Sequence, residues 1–343
     1  MKAIPILAPG PAESLSIQDW PDPVIQPDEV LIEVRAFGLN FADVQARRGE
    51  YYDAPPMPFV PGYEVAGVIK AVGSAVSQFQ PGQRVLALTE FNAYAQLACA
   101  KARACALLPE SMSFAQGASI PVIFVTAYHL IHQTGCVLPG SRILIHAAAG
   151  GVGLAAVQIA KLAGCEIFGT AGSEAKLEIL RAWNVDHPIN YVEHDFVTAV
   201  QTLTRGEGVD IVLDPIGGRQ IKQDLSLLRP HGRVVAFGAV GLAGRKGPAL
   251  LKLLPQVLSM LTINLIDLMK NSKGIYGANL NIIGRKHPAL LEHNLKAVLE
   301  LFADGKLKTV ISREYGWDQI ARAQHELETR QSTGKIVLTI PER

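Results

Sequence analysis

The sequence predicts an α/β protein of two domains, a β-rich module and a doubly wound parallel sheet, and three observations carry that reading. The 343 residues exceed the usual span of one hydrophobic core. The early part consists of short apolar runs, VLIEVRAFGL, VAGVIKAVG, QRVLALT and AYAQLA, punctuated by PDPVIQPDE, PPMPFVPG and FQPGQ. From Arg142 onward, apolar strands alternate with helical periods: RILIH, GVGLAAVQIAKLAG, CEIFGTAG, SEAKLEILRAW, then VDIVLDPIG, RQIKQDLSLLR and GRVVAFGAV. Such alternation stacks right-handed βαβ units on a parallel sheet.

The tail is mixed again. HPALLEHNLKAVLELFADG reads as an amphipathic helix closed by Gly305, DQIARAQHELETRQ as another, and KIVLTIPE as a final strand. The β-rich module lacks closure of its own, so the tail is expected to fold back onto it. The expected division is therefore 1–120 for the first part of the β-rich domain, 121–275 for the parallel sheet and 276–343 for the return.

With 49% hydrophobic residues, 18% charged residues and a formal net charge of +1, the chain has the composition of an ordinary globular protein. It offers no basic field for nucleic acid, which is excluded as a partner. MKAIPILAPG holds one Lys and no apolar run of signal-peptide length, and the four cysteines, Cys99, Cys105, Cys136 and Cys165, lack disulfide-framework spacing. The expectation is a cytoplasmic location. The apolar stretch Pro248 to Met269 approaches membrane-span length, but Lys252, Pro255 and Asp267 interrupt it. Charges at a bilayer centre cost at least ~2.5 kcal/mol each, so a buried or interfacial helix is expected there.

HAAAGGVGLAAVQIAKLAG, His146 to Gly164, follows the strand RILIH at once. Gly150, Gly151, Val152 and Gly153 stand where a dinucleotide fingerprint would, with Ala148 in place of its first glycine. Gly150 and Gly151 allow the backbone to approach a pyrophosphate, Gly153 lets the helix pack on the strand, and unpaired N–H groups face the anion. The competing reading is a turn used only for close packing. NAD sites place Asp or Glu about 20 residues further on, but CEIFGTAG ends in Ala171 and Gly172. The next helix opens with Ser173 and carries Lys176 in its first turn. A cation there opposes the helix dipole by roughly 0.3 kcal/mol or more unless an anion sits nearby. This points to a 2′-phosphate and hence to NADPH, against the blander reading of a solvated lysine.

No metal is expected. Tetrahedral zinc needs thiolate or imidazole donors held close together, and His129 with His132 in TAYHLIHQ supplies two candidates without a third. Nor does any G-x-S-x-G nucleophile elbow occur.

GLNFADVQARRGEY, VPGYEVAGVI, GQRV, TAYHL, HAAAGGVGLAAVQIAK, HPINY, DIVLDPIGG and GKIVL together resemble the zinc-free quinone oxidoreductases of the medium-chain dehydrogenase/reductase superfamily, across essentially the whole chain. NFADVQARRGEY, FGTAG, HPINY and the apolar insertion before GIYGANL look most similar to the vesicle amine transport protein-like subgroup. The resemblance implies a GroES-like catalytic domain, a Rossmann domain binding NADPH, a homodimer, and hydride transfer to a quinone or an α,β-unsaturated carbonyl. It places Asn40 beside the nicotinamide carboxamide and Tyr51 in the substrate cleft as candidate hydrogen-bond donor. Thr126 would approach the nicotinamide ribose, and Ser173, Lys176 and Tyr191 the 2′-phosphate. Gly217, Phe237 and Gly238 would lie along the cofactor, and Lys335 near its phosphates. Where zinc-dependent relatives carry Cys and His, this chain has Asn40 and Tyr63. The subgroup also implies a second function class, a peripheral membrane or lipid-interacting dinucleotide-binding protein with weak catalysis.

Overall fold

The computed structural model describes residues 1–238 and 262–342. They form two compact units, Met1–Val125 with Asn281–Arg343, and Thr126–Leu280.

In the first unit β1 (Lys2–Ala3) and β2 (Gln18–Asp19) make a short ribbon, and a larger sheet is organised around β3 (Glu29–Gly38). Along β3 the apolar residues recur at every second position, so Val30, Ile32, Val34 and Ala36 enter the core together. It pairs antiparallel with β4 (Glu64–Val72), β6 (Leu97–Lys101) and β15 (Lys335–Thr339). From β4 the sheet continues through β5 (Arg84–Leu88) to β7 (Cys105–Leu107), and from β15 to the parallel β14 (Ile311–Gly316). The run AYAQLA is extended only in part. β6 begins at Leu97 because Phe91 and Asn92 take positive φ and Ala95 meets Ala3 in a single bridge. Four helices complete this part of the unit: α1 (Phe41–Arg47), α2 (Phe114–Ala118), α10 (Pro288–Ala303) and α11 (Ile320–Glu328).

Arg47, among the largest fully buried side chains, ties α1 to α11. Its Nε donates to Gln324 Oε1 at 2.7 Å, its Nη1 to the Gly10 carbonyl at 2.6 Å, and its Nη2 pairs with Glu328.

Among the described residues, the second unit holds a six-stranded, wholly parallel sheet. Its strands are β8 (Arg142–Ile145), β9 (Glu166–Ala171), β10 (His187–Asn190), β11 (Val209–Asp214), β12 (Leu228–Ala236) and β13 (Gly274–Gly277), in the spatial order β10-β9-β8-β11-β12-β13. The order reverses between β8 and β11, which is the doubly wound arrangement. Strands covered on both faces read as continuous apolar runs, and Ile143, Leu144 and Ile145 are buried alike. The connecting helices are α4 (Gly151–Leu162), α5 (Glu174–Ala182), α6 (Phe196–Leu203) and α7 (Gln220–Leu227), followed by α8 (Leu265–Asn271). Two further helices, α3 (Pro121–Tyr128) and α9 (Leu280–Lys286), run across the ends of the units in the chain.

Of the apolar stretch 248–269, residues 248–261 lie outside the described residues. The remainder includes the start of α8, where Leu265, Ile266 and Met269 are exposed. Among the described residues no helix is long and apolar enough to cross a membrane.

Removing one partner of a buried, hydrogen-bonded charge leaves the others uncompensated. Arg47→Met is therefore expected to destabilise the first unit by about 3 kcal/mol, read from urea unfolding; a loss below ~1 kcal/mol would place Arg47 with exposed ion pairs instead.

Candidate functional site

Each unit carries one constellation. In the second unit it lies along the carboxyl edge of the parallel sheet, where open α/β folds bind ligands. The chain leaves β8 at His146, turns through Ala147 at φ 50°, and reaches Gly150, the extended N-cap of α4. A Cβ on Gly153 would stand 2.5 Å from the carbonyl oxygens of both Ala147 and Ala148, so only glycine allows this helix to start here. Leu154 N–H bonds to the Gly150 carbonyl at 2.9 Å. The N–H groups of Gly151, Val152 and Gly153 precede that bond and have no intrahelical acceptor, which suits an anion.

At the end of β9 no carboxylate follows, as Ala171 leads into Gly172 and Ser173. Tyr191 follows β10, with its N–H on the Ala171 carbonyl at 3.1 Å. Its phenol lies over Gly172, where a Cβ would come within 2.6 Å of the hydroxyl. Ser173 caps α5 by position but makes no side-chain capping bond, and Lys176 sits half-buried in the first turn. The adjacent strand ends thus bring Ser173, Lys176 and Tyr191 to one corner of the sheet edge. Glu174, in the same turn, is taken up by Arg181 at 2.6 Å.

At the end of β11 the buried Asp214 carboxylate accepts the N–H groups of Ile216 at 2.6 Å and of Gly217, whose φ is 70°. Phe237 N–H returns to the Asp214 carbonyl at 3.0 Å, and Gly238 passes so close that a Cβ would stand 2.5 Å from the Pro215 carbonyl. Gly217, Phe237 and Gly238 therefore gather at the ends of β11 and β12. Burial, reinforced by the Asp224 charge, pushes Asp214 up to about 6. Beneath the glycine turn lies a group that the sequence did not signal: buried His146 contacts Thr170 Oγ1 at 3.1 Å and Asp224 Oδ1 at 2.9 Å. Thr126 is half-buried on α3.

The first unit's constellation centres on Asn40, the N-cap of α1. Its backbone N–H donates to Asp43 Oδ2 at 2.8 Å, and Tyr94 OH donates to the same oxygen at 2.9 Å. Its carboxamide lies between Lys335, whose Nζ donates to Oδ1 at 2.6 Å, and Glu64, whose Oε1 accepts from Nδ2 at 3.0 Å. Lys335 and Glu64 are themselves a buried ion pair. Lys335, which the resemblance puts near the cofactor phosphates, is bound inside the first unit by this carboxylate and this amide, which take up two of its three ammonium donors.

Tyr51 is half-buried, edge-on to buried Tyr63 with ring centroids 6.2 Å apart. Its hydroxyl oxygen accepts from Asn281 Nδ2 at 3.2 Å, which leaves its proton to be donated elsewhere. Burial pushes its pKa up to about 12, so it stays protonated at neutral pH.

Among the described residues no three His, Cys, Asp or Glu side chains are grouped to hold a metal. His129 is buried, and the His132 ring lies tilted against Tyr128 with centroids 4.6 Å apart. At Asn40, a lysine ammonium stands where a second cation would have to be accommodated, so these residues do not fit zinc.

A β-rich module joined to a doubly wound sheet with a glycine turn is the architecture of a two-domain dehydrogenase. A model of the alcohol dehydrogenase GroES-like domain matches residues 26–139, and one described as zinc-binding dehydrogenase matches residues 151–280. The human quinone oxidoreductase is 32% identical over 99% of this chain and 98% of its own length. The synaptic vesicle membrane protein VAT-1 homolog of Danio rerio is 34% identical over 92% of this chain, which spans 65% of that relative's length. The solved structure of Escherichia coli quinone oxidoreductase complexed with NADPH superposes with a TM-score of 0.86 at 29% identity, covering 99% of this chain and all of that one. The chain belongs to the medium-chain dehydrogenase/reductase superfamily of oxidoreductases, in the family of the quinone oxidoreductases and VAT-1 homologues.

Asp43 yields a pH prediction. Burial raises its pKa from the ordinary 3.8 to about 7, against the opposing Asn40 N–H, Tyr94 hydroxyl and Lys335 charge. The folded state thus favours the protonated acid. That contribution is complete below about 4 and is lost as pH rises through about 7. Asp43→Asn, which keeps an acceptor for Tyr94, should gain on the wild type by a few kcal/mol between these limits, at roughly 1.4 kcal/mol per unit. Paired denaturant melts across that range check it, and parallel curves would contradict the assignment.

Proposed function

We propose that the protein is a zinc-independent, NADPH-dependent oxidoreductase that delivers hydride to a quinone or an α,β-unsaturated carbonyl. The observation that carries the cofactor assignment is the corner made by Ser173, Lys176 and Tyr191, cationic and rich in hydroxyls where an NAD site would hold an acid. The NADPH complex of the bacterial relative supports it.

When bound, NADPH supplies the hydride. The amides of Gly151, Val152 and Gly153 receive the pyrophosphate through the approach that Gly150 and Gly153 allow. Ser173, Lys176 and Tyr191 receive the 2′-phosphate, and Gly217, Phe237, Gly238 and Thr126 line the remainder. Asn40 and Tyr51 present donors to carbonyl oxygens. The fixed, un-ionised Tyr51 phenol would stabilise the charge that develops on a substrate carbonyl oxygen on reduction. With its pKa held near 12, Tyr51 polarises that oxygen as a hydrogen-bond donor and is a poor source of the proton itself. The substrate is a small molecule, and two copies would associate through the edge strand β13, which ends the sheet.

Fluorescence titration should show NADPH binding at least ~10-fold tighter than NADH, and Lys176→Ala should remove most of that difference, a charge-assisted bond being worth about 1.5–3 kcal/mol. Equal affinities in the wild type would overturn the cofactor assignment. With 1,4-naphthoquinone or an alkyl enone as acceptor, Tyr51→Phe should lower kcat by about 100-fold; unchanged turnover would remove Tyr51 from the mechanism.

A further inference from the structure

We propose that Glu64 and Lys335 are positioning residues that hold the Asn40 carboxamide in one orientation, so that it presents a dedicated N–H donor to a ligand carbonyl oxygen. This rests on the function proposed above and adds to it how Asn40 is aimed.

The pair is hidden, with Lys335 at 2% and Glu64 at 0% side-chain exposure. Apolar side chains of equal volume would usually serve stability as well or better than such a pair, so packing alone does not account for it. The backbone makes room for it. A Cβ on Gly38, the last residue of β3, would stand 2.5 Å from Glu64 Oε1 and 2.6 Å from Lys335 Cε. The second Glu64 oxygen is fixed by the Val122 N–H at 2.7 Å, in the first turn of α3.

Donor and acceptor chemistry then settles the amide. An ammonium has no acceptor, so the Asn40 atom 2.6 Å from Lys335 must be oxygen. An ionised carboxylate has no donor, so the atom 3.0 Å from Glu64 must be the nitrogen. Turning the amide over would set N–H against ammonium and C=O against carboxylate. One N–H of Nδ2 remains unassigned, on a half-buried residue whose backbone Asp43 already locks. A carbonyl oxygen is the complementary ligand group, whether on the nicotinamide carboxamide or on the substrate.

The decisive variant is Asn40→Asp. Held in the protonated form by the Glu64 carboxylate beside it, Asp at 40 accepts from Lys335 through its C=O and donates its O–H to Glu64 Oε1, so the buried network and its net charge are kept without the outward N–H. The expectation is a Tm within a few degrees of wild type and a kcat about 100-fold lower, comparable to loss of an oxyanion donor. A raised Kd for NADPH assigns the carbonyl to the cofactor; an unchanged Kd with lowered kcat assigns it to the acceptor. Wild-type Tm together with wild-type turnover in Asn40→Asp overturns the proposal and leaves the pair a structural one. If wild-type protein itself bound no NADPH, the parent reading would fail separately. Should Asn40→Asp not fold, asparagine-selective ¹⁵N spectra of the wild type decide, with the Asn40 signal identified by its loss in Asn40→Ser. One Nδ2 proton should exchange slowly in the free protein and the second only after NADP⁺, or NADP⁺ with 1,4-naphthoquinone, is added. Two protons exchanging alike throughout would overturn it.

Discussion

The first unit depends on a charge pair kept from water. Glu64 begins β4, Lys335 begins β15, and Asn40 stands two residues past β3, so a single cluster closes the sheet around its central strand and meets the first turn of α3. Desolvating two charges is tolerated only where geometry satisfies nearly all of their hydrogen-bonding capacity. Here the carboxylate has Lys335, Asn40 and a backbone N–H, and the ammonium has Glu64 and Asn40. The absence of a side chain at Gly38 is part of the same solution.

The second unit solves a different problem, that of ending six parallel strands beside a polar ligand. Its strand ends expose backbone amides in place of charged side chains, while polar groups below them are used to hold the turns. Asp214 gathers the Ile216 and Gly217 amides, and His146 is held between Thr170 and Asp224. Rigidity at that level lets small residues above it stay bare, which is where a nucleotide's phosphates need access.

The architecture was legible because parallel strands buried on both faces leave unbroken apolar runs, as RILIH and VDIVLDPIG do, and because glycine placement marks the turn after β8. AYAQLA misled at its start, since composition favoured a strand while positive φ at Phe91 and Asn92 bends the chain out of one. The proposed cofactor corner was half legible: a missing acid and a misplaced Lys176 lie in sequence, while Tyr191 rested on the family resemblance. The Asn40 network was not legible. Its lysine lies 295 residues away, and no periodicity relates the two. Glu64 stands in a quoted motif that drew attention only for Tyr63, and the titration of Asp43 arises from burial, which no local spacing encodes.

Tyr191 lying over Gly172 bears on redesign of nucleotide preference. Grafting an acid at Gly172, just past the end of β9, the obvious route toward the unphosphorylated dinucleotide, would put the new side chain into space that the phenol already fills. The tyrosine, whose ring is partly exposed, would have to swing aside or be made smaller in the same step, so the two positions form a coupled pair.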